Sequence, residues 1–312
     1  MVIKYIGRLT MSVLRIGRIG LRVLDLEESV KYYTNFMGMT ETGRDDKAVY
    51  LKAWDEYDHH SLVLFESDTP GVDHVAFKVR FADDLTGLNQ RINEWGLSTE
   101  WLAAGSRLAE GEALVTTLPT GHRCEFYHEI ERVGIAVGNI NPEPWPDDLQ
   151  GVGVQRFDHC LLVGDDLEGA TKFFVEVLDF HQSERLITDD GMMLASFLHC
   201  TNKAHDIAFL KGPDAKLHHV GFYVGTWDNV LKAADLQSRH GIRTELTPSR
   251  HGLTRGLTTY FFDPSGNRNE TYSGGTFPYY DDDVVTWTED QAGRAIFFHG
   301  REMIETFGAV FT

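Results

Sequence analysis

Residues 264–272 read Pro264-Ser265-Gly266-Asn267-Arg268-Asn269-Glu270-Thr271-Tyr272, and 145 positions earlier the chain reads Pro119-Thr120-Gly121-His122-Arg123-Cys124-Glu125-Phe126-Tyr127. Every second residue of the two stretches is identical. Successive strand side chains point to opposite sides, so identity at alternate positions marks a strand with one constrained face. The same offset holds without a gap from residue 60 to residue 127. His60 falls on His205, and His74-Val75-x-Phe77-x-Val79 falls on His219-Val220-x-Phe222-x-Val224. Gly96, Thr99 and Glu100 fall on Gly241, Thr244 and Glu245. At an offset of 141, Asp25, Leu26, Glu27 and Lys31 match Asp166, Leu167, Glu168 and Lys172, with Tyr32-Tyr33 on Phe173-Phe174. The chain is two copies of one domain, and such a repeat decides the fold before any local reading does.

Within each copy the pattern runs strand, helix, strands, and then the same order again. Phe157 to Val163 reads as a strand, and Asp165-Asp166 signals the start of a helix from Leu167 to Leu178. Leu217 to Val224 is a second strand, Trp227 to His240 a second helix ended by Gly241, and Asp263 to Asn267 a turn between strands. The expected class is α+β: two tandem domains, each a pair of βαβββ modules. The expected boundaries are residues 11–130 and 153–273, joined by a linker at 131–152 that carries Pro142, Pro144 and Pro146. A tail, residues 274–312, follows. In it Thr288 and Gln291 suggest a capping box for a helix running to about Ile304. Met11 offers a second start, so residues 1–10 are expected to be a start extension.

The composition excludes several classes. A net charge of -18 with no Lys/Arg-rich block argues against a nucleic-acid partner. No stretch approaches the roughly 18 apolar residues of a membrane span, and residues 1–18 lack the apolar core of a signal peptide. Three widely spaced cysteines, Cys124, Cys160 and Cys200, supply neither a disulfide framework nor a CxxC zinc site. A cytoplasmic protein is expected. Asp281-Asp282-Asp283 lacks the spaced ligands of a calcium loop and reads as a solvated turn.

The differences between the copies point to the chemistry. His159 faces Arg18, whereas His219 faces His74 and Glu270 faces Glu125. Only the C-terminal copy holds two histidines and a glutamate on three predicted strands, the donor set of non-heme Fe(II) sites that leave adjacent positions open. Each residue alone is as readily a structural hydrogen-bonding group; the coincidence of three in one copy favours a metal site. Strand alternation puts His218 on the face opposite His219, and its partner in the other copy is Asp73 rather than histidine, so His219 is the expected ligand. His251 faces Ser106 and Tyr260 faces Val115, adding two proton-exchanging or hydrogen-bonding groups to the same half. His205 keeps its partner His60, which lowers its weight as a functional residue.

The strings Phe157-Asp158-His159, Leu217-His218-His219-Val220, Arg250-His251-Gly252-Leu253-Thr254 and Tyr260 to Glu270 resemble those of type I extradiol ring-cleaving dioxygenases, above all the catechol-cleaving members. The resemblance covers residues 11–312; the Tyr260 to Glu270 string is highly specific, the Leu-His-His-Val string is not. It implies two tandem vicinal-oxygen-chelate domains forming incomplete barrels, with Fe(II) in the C-terminal one on His159, His219 and Glu270. It further implies His205 as the acid-base residue, His251 beside the substrate and Tyr260 bonded to the catecholate. The implied reaction joins catechol and O2, cleaves the ring beside the diol and gives 2-hydroxymuconate semialdehyde. A homotetramer, and a tail packed near the site entrance, are also implied. The runner-up is an extradiol enzyme for a substituted catechol, such as 2,3-dihydroxybiphenyl or a carboxylated catechol. The fold also hosts glyoxalase-type isomerases, metal-free drug-sequestering proteins and 4-hydroxyphenylpyruvate dioxygenases, so fold alone does not decide function. Arg18 spoils the first of these, and the triad with His251 and Tyr260 argues against the second.

Overall fold

A computed structural model describes residues 12–312, and the expected start extension lies outside the described residues. The first half is built from β1 (Val13–Val23), α1 (Leu26–Lys31, continued by a π turn at Tyr32–Phe36), β2 (Thr40–Arg44), β3 (Ala48–Lys52) and β4 (Leu62–Glu66), and then β5 (Gly71–Val79), α2 (Ala82–Trp95), β6 (Thr99–Leu102), β7 (Ala113–Thr117) and β8 (Arg123–Tyr127). The second half repeats this order: β9 (Arg156–Gly164), α3 (Leu167–Glu176), β10 (His181–Ile187), β11 (Met193–His199) and β12 (Ile207–Lys211), followed by β13 (Lys216–Tyr223), α4 (Trp227–His240), β14 (Thr244–Arg250), β15 (Gly256–Phe262) and β16 (Arg268–Gly274). Each half is thus two βαβββ modules, as the repeat predicts.

In every module the first strand pairs parallel with the fourth, and the two modules of a half meet through antiparallel pairs, β1 with β5 and β9 with β13. The sheets run β2-β3-β4-β1-β5-β8-β7-β6 and β14-β15-β16-β13-β9-β12-β11-β10, curved but open. Helix ends follow local chemistry. Asp25 and Asp166, partners in the repeat, accept from the Glu28 and Gly169 amides at 2.8 Å and start α1 and α3. Gly96 and Gly241 end α2 and α4 at φ +107° and +66°, where a side chain is disfavoured.

The helices of the two halves bury their apolar faces in a shared core. Phe174 of α3 packs edge-on against Phe77 of β5 at 5.7 Å, and Trp95 of α2 meets Phe173 at 5.4 Å. Phe173, Phe174, Tyr32 and Tyr33 are buried, as expected of aromatics on amphipathic helices. The turn Asp263–Asn267 docks on the first half: Tyr33 donates to Asp263 at 3.1 Å, Leu24 N to Ser265 Oγ at 2.8 Å and Asn267 Nδ2 to Arg22 O at 3.0 Å. Its repeat partner, the turn at 118–122, docks on the second half, where Ala215 N donates to Thr120 O at 2.9 Å and His122 Nε2 to Lys216 O at 3.0 Å.

The tail departs from expectation. Strand β17 (Val285–Thr288) pairs parallel with β10, and Glu289–Gln291 forms a 3-10 turn before a helix, α5, that spans only Ala292–Ile296. Thr288 caps nothing, because its hydroxyl bonds Asp290 instead. The chain then crosses the second half through a 3-10 turn at Glu305–Gly308, and Thr312 exchanges backbone hydrogen bonds with Leu217 at 2.8 and 3.1 Å. Asp281, Asp282 and Asp283 are exposed.

Candidate metal centre

Three adjacent strands converge on one point. His159 on β9, His219 on β13 and Glu270 on β16 are buried. His159 Nε2 lies 2.8 Å from Glu270 Oε2, His219 Nε2 lies 3.3 Å from the same oxygen, and the two imidazole nitrogens are 3.3 Å apart. Among the described residues this trio is the cluster whose ligand atoms all fall within 4.8 Å of one another. Gly221, the cross-strand partner of both His159 and Glu270, makes the approach possible: a Cβ there would sit 2.3 Å from the His159 ring.

Each imidazole is oriented by its other nitrogen. His159 Nδ1 donates to Asp158 Oδ2 at 2.8 Å, which fixes the ring with Nε2 turned to the centre. His219 Nδ1 lies 2.7 Å from His218 Nδ1, and His218 Nε2 donates to the Phe307 carbonyl at 2.8 Å. The expectation that His218 faces away from His219 is therefore corrected. A β-bulge falls between Leu217 and His219, where the pairing with β9 skips His218, so strict alternation fails and both rings line one cavity.

The donor set fits a divalent cation. A buried carboxylate needs a compensating charge, and Glu270 Oε1 has no hydrogen-bond partner among the described residues: His251 Nε2 approaches only to 3.5 Å. Burial drives His159 toward its neutral form, but hydrogen bonds to Asp158 and Glu270 outweigh it and hold the pKa at about 9. The Nε2 bond to Glu270 is the one that a cation between these two residues would replace, while the Nδ1 bond to Asp158 would stay. Burial brings His219 down to about 4, against the opposing pull of Glu270. In the first half the same problem is solved by the chain itself. The buried Arg18 guanidinium occupies the position of His159, 2.5 Å from Glu125 Oε2 and 2.9 Å from Glu110 Oε1. Arginine cannot ligate a metal and leaves that half with a structural ion pair.

His205, His251 and Tyr260 lie around the trio. All three line a cavity of about 80 Å³ with His159, His219 and Glu270, walled by Leu161, Leu186, Phe197, Leu253 and Ile296. His205, in the loop between β11 and β12, has its ring centroid 4.1 Å from that of His159. Its buried Nδ1 has no partner among the described residues, and burial, followed by the His159 charge, pushes the His205 pKa well below the usual imidazole range. His251 donates from Nδ1 to the Ile296 carbonyl, so its Nε2 accepts from the Tyr260 hydroxyl at 2.9 Å. The Tyr260 oxygen keeps its lone pairs for another donor. Burial and then the Glu270 charge raise the Tyr260 pKa well above the usual phenol value. Cys160 points into the core and its thiol is pushed up by burial, as an inert residue requires.

Sequence reasoning assigned no role to Asp158, Gly221, Glu184 or Phe307. Asp158 was visible as the carboxylate beside His159, and Gly221 as the small residue two positions after His219. Glu184 accepts from Thr254 N at 2.6 Å and from Trp287 Nε1 at 2.9 Å, and so ties the His251 loop to the tail. No local pattern announces Glu184 or Phe307.

Fold and site together define a vicinal-oxygen-chelate protein in which the second half carries a cluster that could hold a metal ion. The profile of the Glyoxalase/Bleomycin resistance protein/Dioxygenase superfamily matches residues 156–271, and that of the Catechol 2,3-dioxygenase-like N-terminal domain matches residues 72–131. The chain is 45% identical over 304 residues to the metapyrocatechase of Pseudomonas sp. (strain CF600), covering 96% of this chain and 99% of that protein. It is 26% identical over 304 residues to the manganese-dependent 2,3-dihydroxybiphenyl 1,2-dioxygenase of Geobacillus genomosp. 3, covering 95% and 96%. The solved structure of the 2,3-dioxygenase LapB from Pseudomonas sp. KL28 superposes with a TM-score of 0.88 at 42% identity, covering 90% of this chain and 99% of that one. The chain belongs to the extradiol dioxygenases of this superfamily.

Proposed function

We propose that the protein is a catechol 2,3-dioxygenase that holds Fe(II) on His159, His219 and Glu270. It adds both atoms of O2 to catechol and breaks the carbon-carbon bond beside the diol, giving 2-hydroxymuconate semialdehyde. The product keeps every atom of catechol and both atoms of O2, so no further reductant is consumed. The observation that carries this reading is the buried His159–His219–Glu270 cluster opening onto a small cavity. Fe(II) held by these three residues would bind the diol and O2 as a Lewis acid and offer a path for electron density between them.

The chain's own groups supply the rest. The Tyr260 oxygen, with its proton engaged by His251 Nε2, accepts from a substrate hydroxyl and orients the ring. His251 holds that tyrosine and is itself held by the Ile296 carbonyl. His205, with an unpartnered nitrogen beside the cluster, takes a proton from the diol and returns it at a later step. The apolar walls exclude water, and among the described residues no Lys or Arg lines the cavity, which favours an uncharged ring over a carboxylated one.

Residues 153–273 would then be the catalytic domain, 11–130 its metal-free copy, 131–152 the connection and 274–312 the tail. We also infer a homotetramer in the cytoplasm. Exposed Ile140, Trp145, Phe277 and Tyr279 support association, and three free cysteines support a reducing compartment. Light scattering on the purified protein tests the tetramer. No helix among the described residues is long and apolar enough to cross a membrane.

The test of function is anaerobic loading with Fe(II), then catechol and air. A yellow ring-fission product that requires Fe(II) supports the proposal. Colour with Mn(II) alone would reassign the metal, and colour with 2,3-dihydroxybiphenyl but not catechol would reassign the substrate.

A further inference from the structure

His218 and the C-terminal tail form a hydrogen-bond relay behind His219. The Phe307 carbonyl is an acceptor with no proton to give, so the 2.8 Å contact puts a proton on His218 Nε2. A neutral His218 then presents a lone pair at Nδ1. The 2.7 Å contact between the two Nδ1 atoms therefore has His219 as donor, with its proton on Nδ1 and its Nε2 lone pair facing Glu270 and His159. If the carbonyl were absent, His218 would be free to carry its proton on Nδ1, and the same contact would force His219 into the tautomer that turns an N–H toward the cluster. The tail is anchored for this task. Arg268 donates to the Val310 and Thr306 carbonyls at 2.9 and 3.2 Å and to the His218 carbonyl at 3.0 Å, and Glu245 clamps its other side at 2.6 and 2.9 Å. Phe307 also stacks edge-on against the His218 ring at 4.5 Å.

The other copy shows the alternative. The bulge recurs there, where the pairing of β5 with β1 skips Asp73, and Asp73 Oδ1 holds His74 Nδ1 at 2.7 Å. A carboxylate accepts unconditionally. A histidine in its place accepts only while something else holds its second nitrogen.

We propose that His218 is a positioning residue through which the docked tail, by the Phe307 carbonyl, selects the metal-binding tautomer of His219. The relay rests on the metal site described above and makes that site conditional on a docked C-terminus.

The experiment measures divalent metal affinity of the apo-protein by chelator competition, using Mn(II) and Co(II), for the wild type, His218→Phe, His218→Asp and a chain ending at Ile304. His218→Phe and the shortened chain should each lose about 10- to 100-fold in affinity. His218→Asp, which copies Asp73, should bind within a few-fold of wild type and stay there when residues 305–312 are also removed. Nitrogen-15 NMR of a zinc-loaded sample should show the His219 Nδ1 proton in wild type and His218→Asp. Equal affinity of wild type and His218→Phe would overturn the relay, as would a His218→Asp chain that still depends on the tail. If His218→Phe does not fold, the His218→Asp pair, with and without the tail, decides the matter alone. A wild type that binds no metal would instead overturn the site itself.

Discussion

At the residue scale the centre works by giving each polar atom one partner and leaving one free. Asp158 takes the far nitrogen of His159, His218 that of His219 and Ile296 that of His251, and the nitrogens left over face inward. Glu270 is the sole carboxylate of the cluster. Glu270→Ala is therefore expected to lose the metal and turnover together, read by metal analysis beside an oxygen-uptake assay; retained stoichiometric metal would rule out the ligand set. His205→Phe is expected to keep the metal and lose roughly 10²- to 10⁴-fold in kcat, the usual worth of a positioned proton carrier. Loss of metal in that variant would make His205 a ligand.

At the scale of elements, strand pairing carries the site and irregular segments tune it. Three neighbouring strands bring His159, His219 and Glu270 together, and a bulge at His218 and a glycine at position 221 adjust them locally. The His251–Gly256 segment holds Thr254 and Arg255 at φ +54° and +57°, a left-handed pair that side chains disfavour. Glu184 accepts from the Thr254 amide of this turn and is itself held by the Trp287 indole of β17. Glu184→Ala leaves the Thr254 amide and the Trp287 indole unpaired, at a cost of about 1–3 kcal/mol for a buried donor. The variant should melt earlier and, with His251 and Tyr260 orienting the ring as proposed, show a raised KM for catechol with a smaller change in kcat. An unchanged KM would sever the loop from substrate binding.

At the scale of the whole molecule the two copies fold as one body. Phe174→Ala removes a ring that contacts Phe77 of the other half along with Phe180 and Phe209, so it should cost about 3–5 kcal/mol. Calorimetry should show a single transition moved down; two separate transitions would mean that the halves are independent. His122 joins the halves through Lys216, and burial lowers its pKa to about 4 despite that bond. With the folded value below the unfolded one near 6.5, its contribution is full above about pH 6.5 and is lost as pH falls toward 4. Stability measured by denaturant should decline over that window, and His122→Gln should flatten the decline. A slope unchanged by the substitution would assign the acid sensitivity to other groups.

The alternating identities at 119–127 and 264–272, with the offset that continues them back to residue 60, were enough to determine the duplication, and the mismatch of Arg18 with His159 pointed to the half that carries the two histidines and the glutamate. Those features rest on the period-2 geometry of a strand and on the charge of Arg18 opposite His159, both local properties of the chain. The tertiary structure alone decided that His218 shares the face of His219, that the tail forms a strand and a short helix rather than a long one, that Phe307 lines the cavity and that Glu184 holds the Thr254 turn beside it. Bulges break the period from which a face is read, and contacts between residues 89 or 103 positions apart depend on docking that no local pattern records.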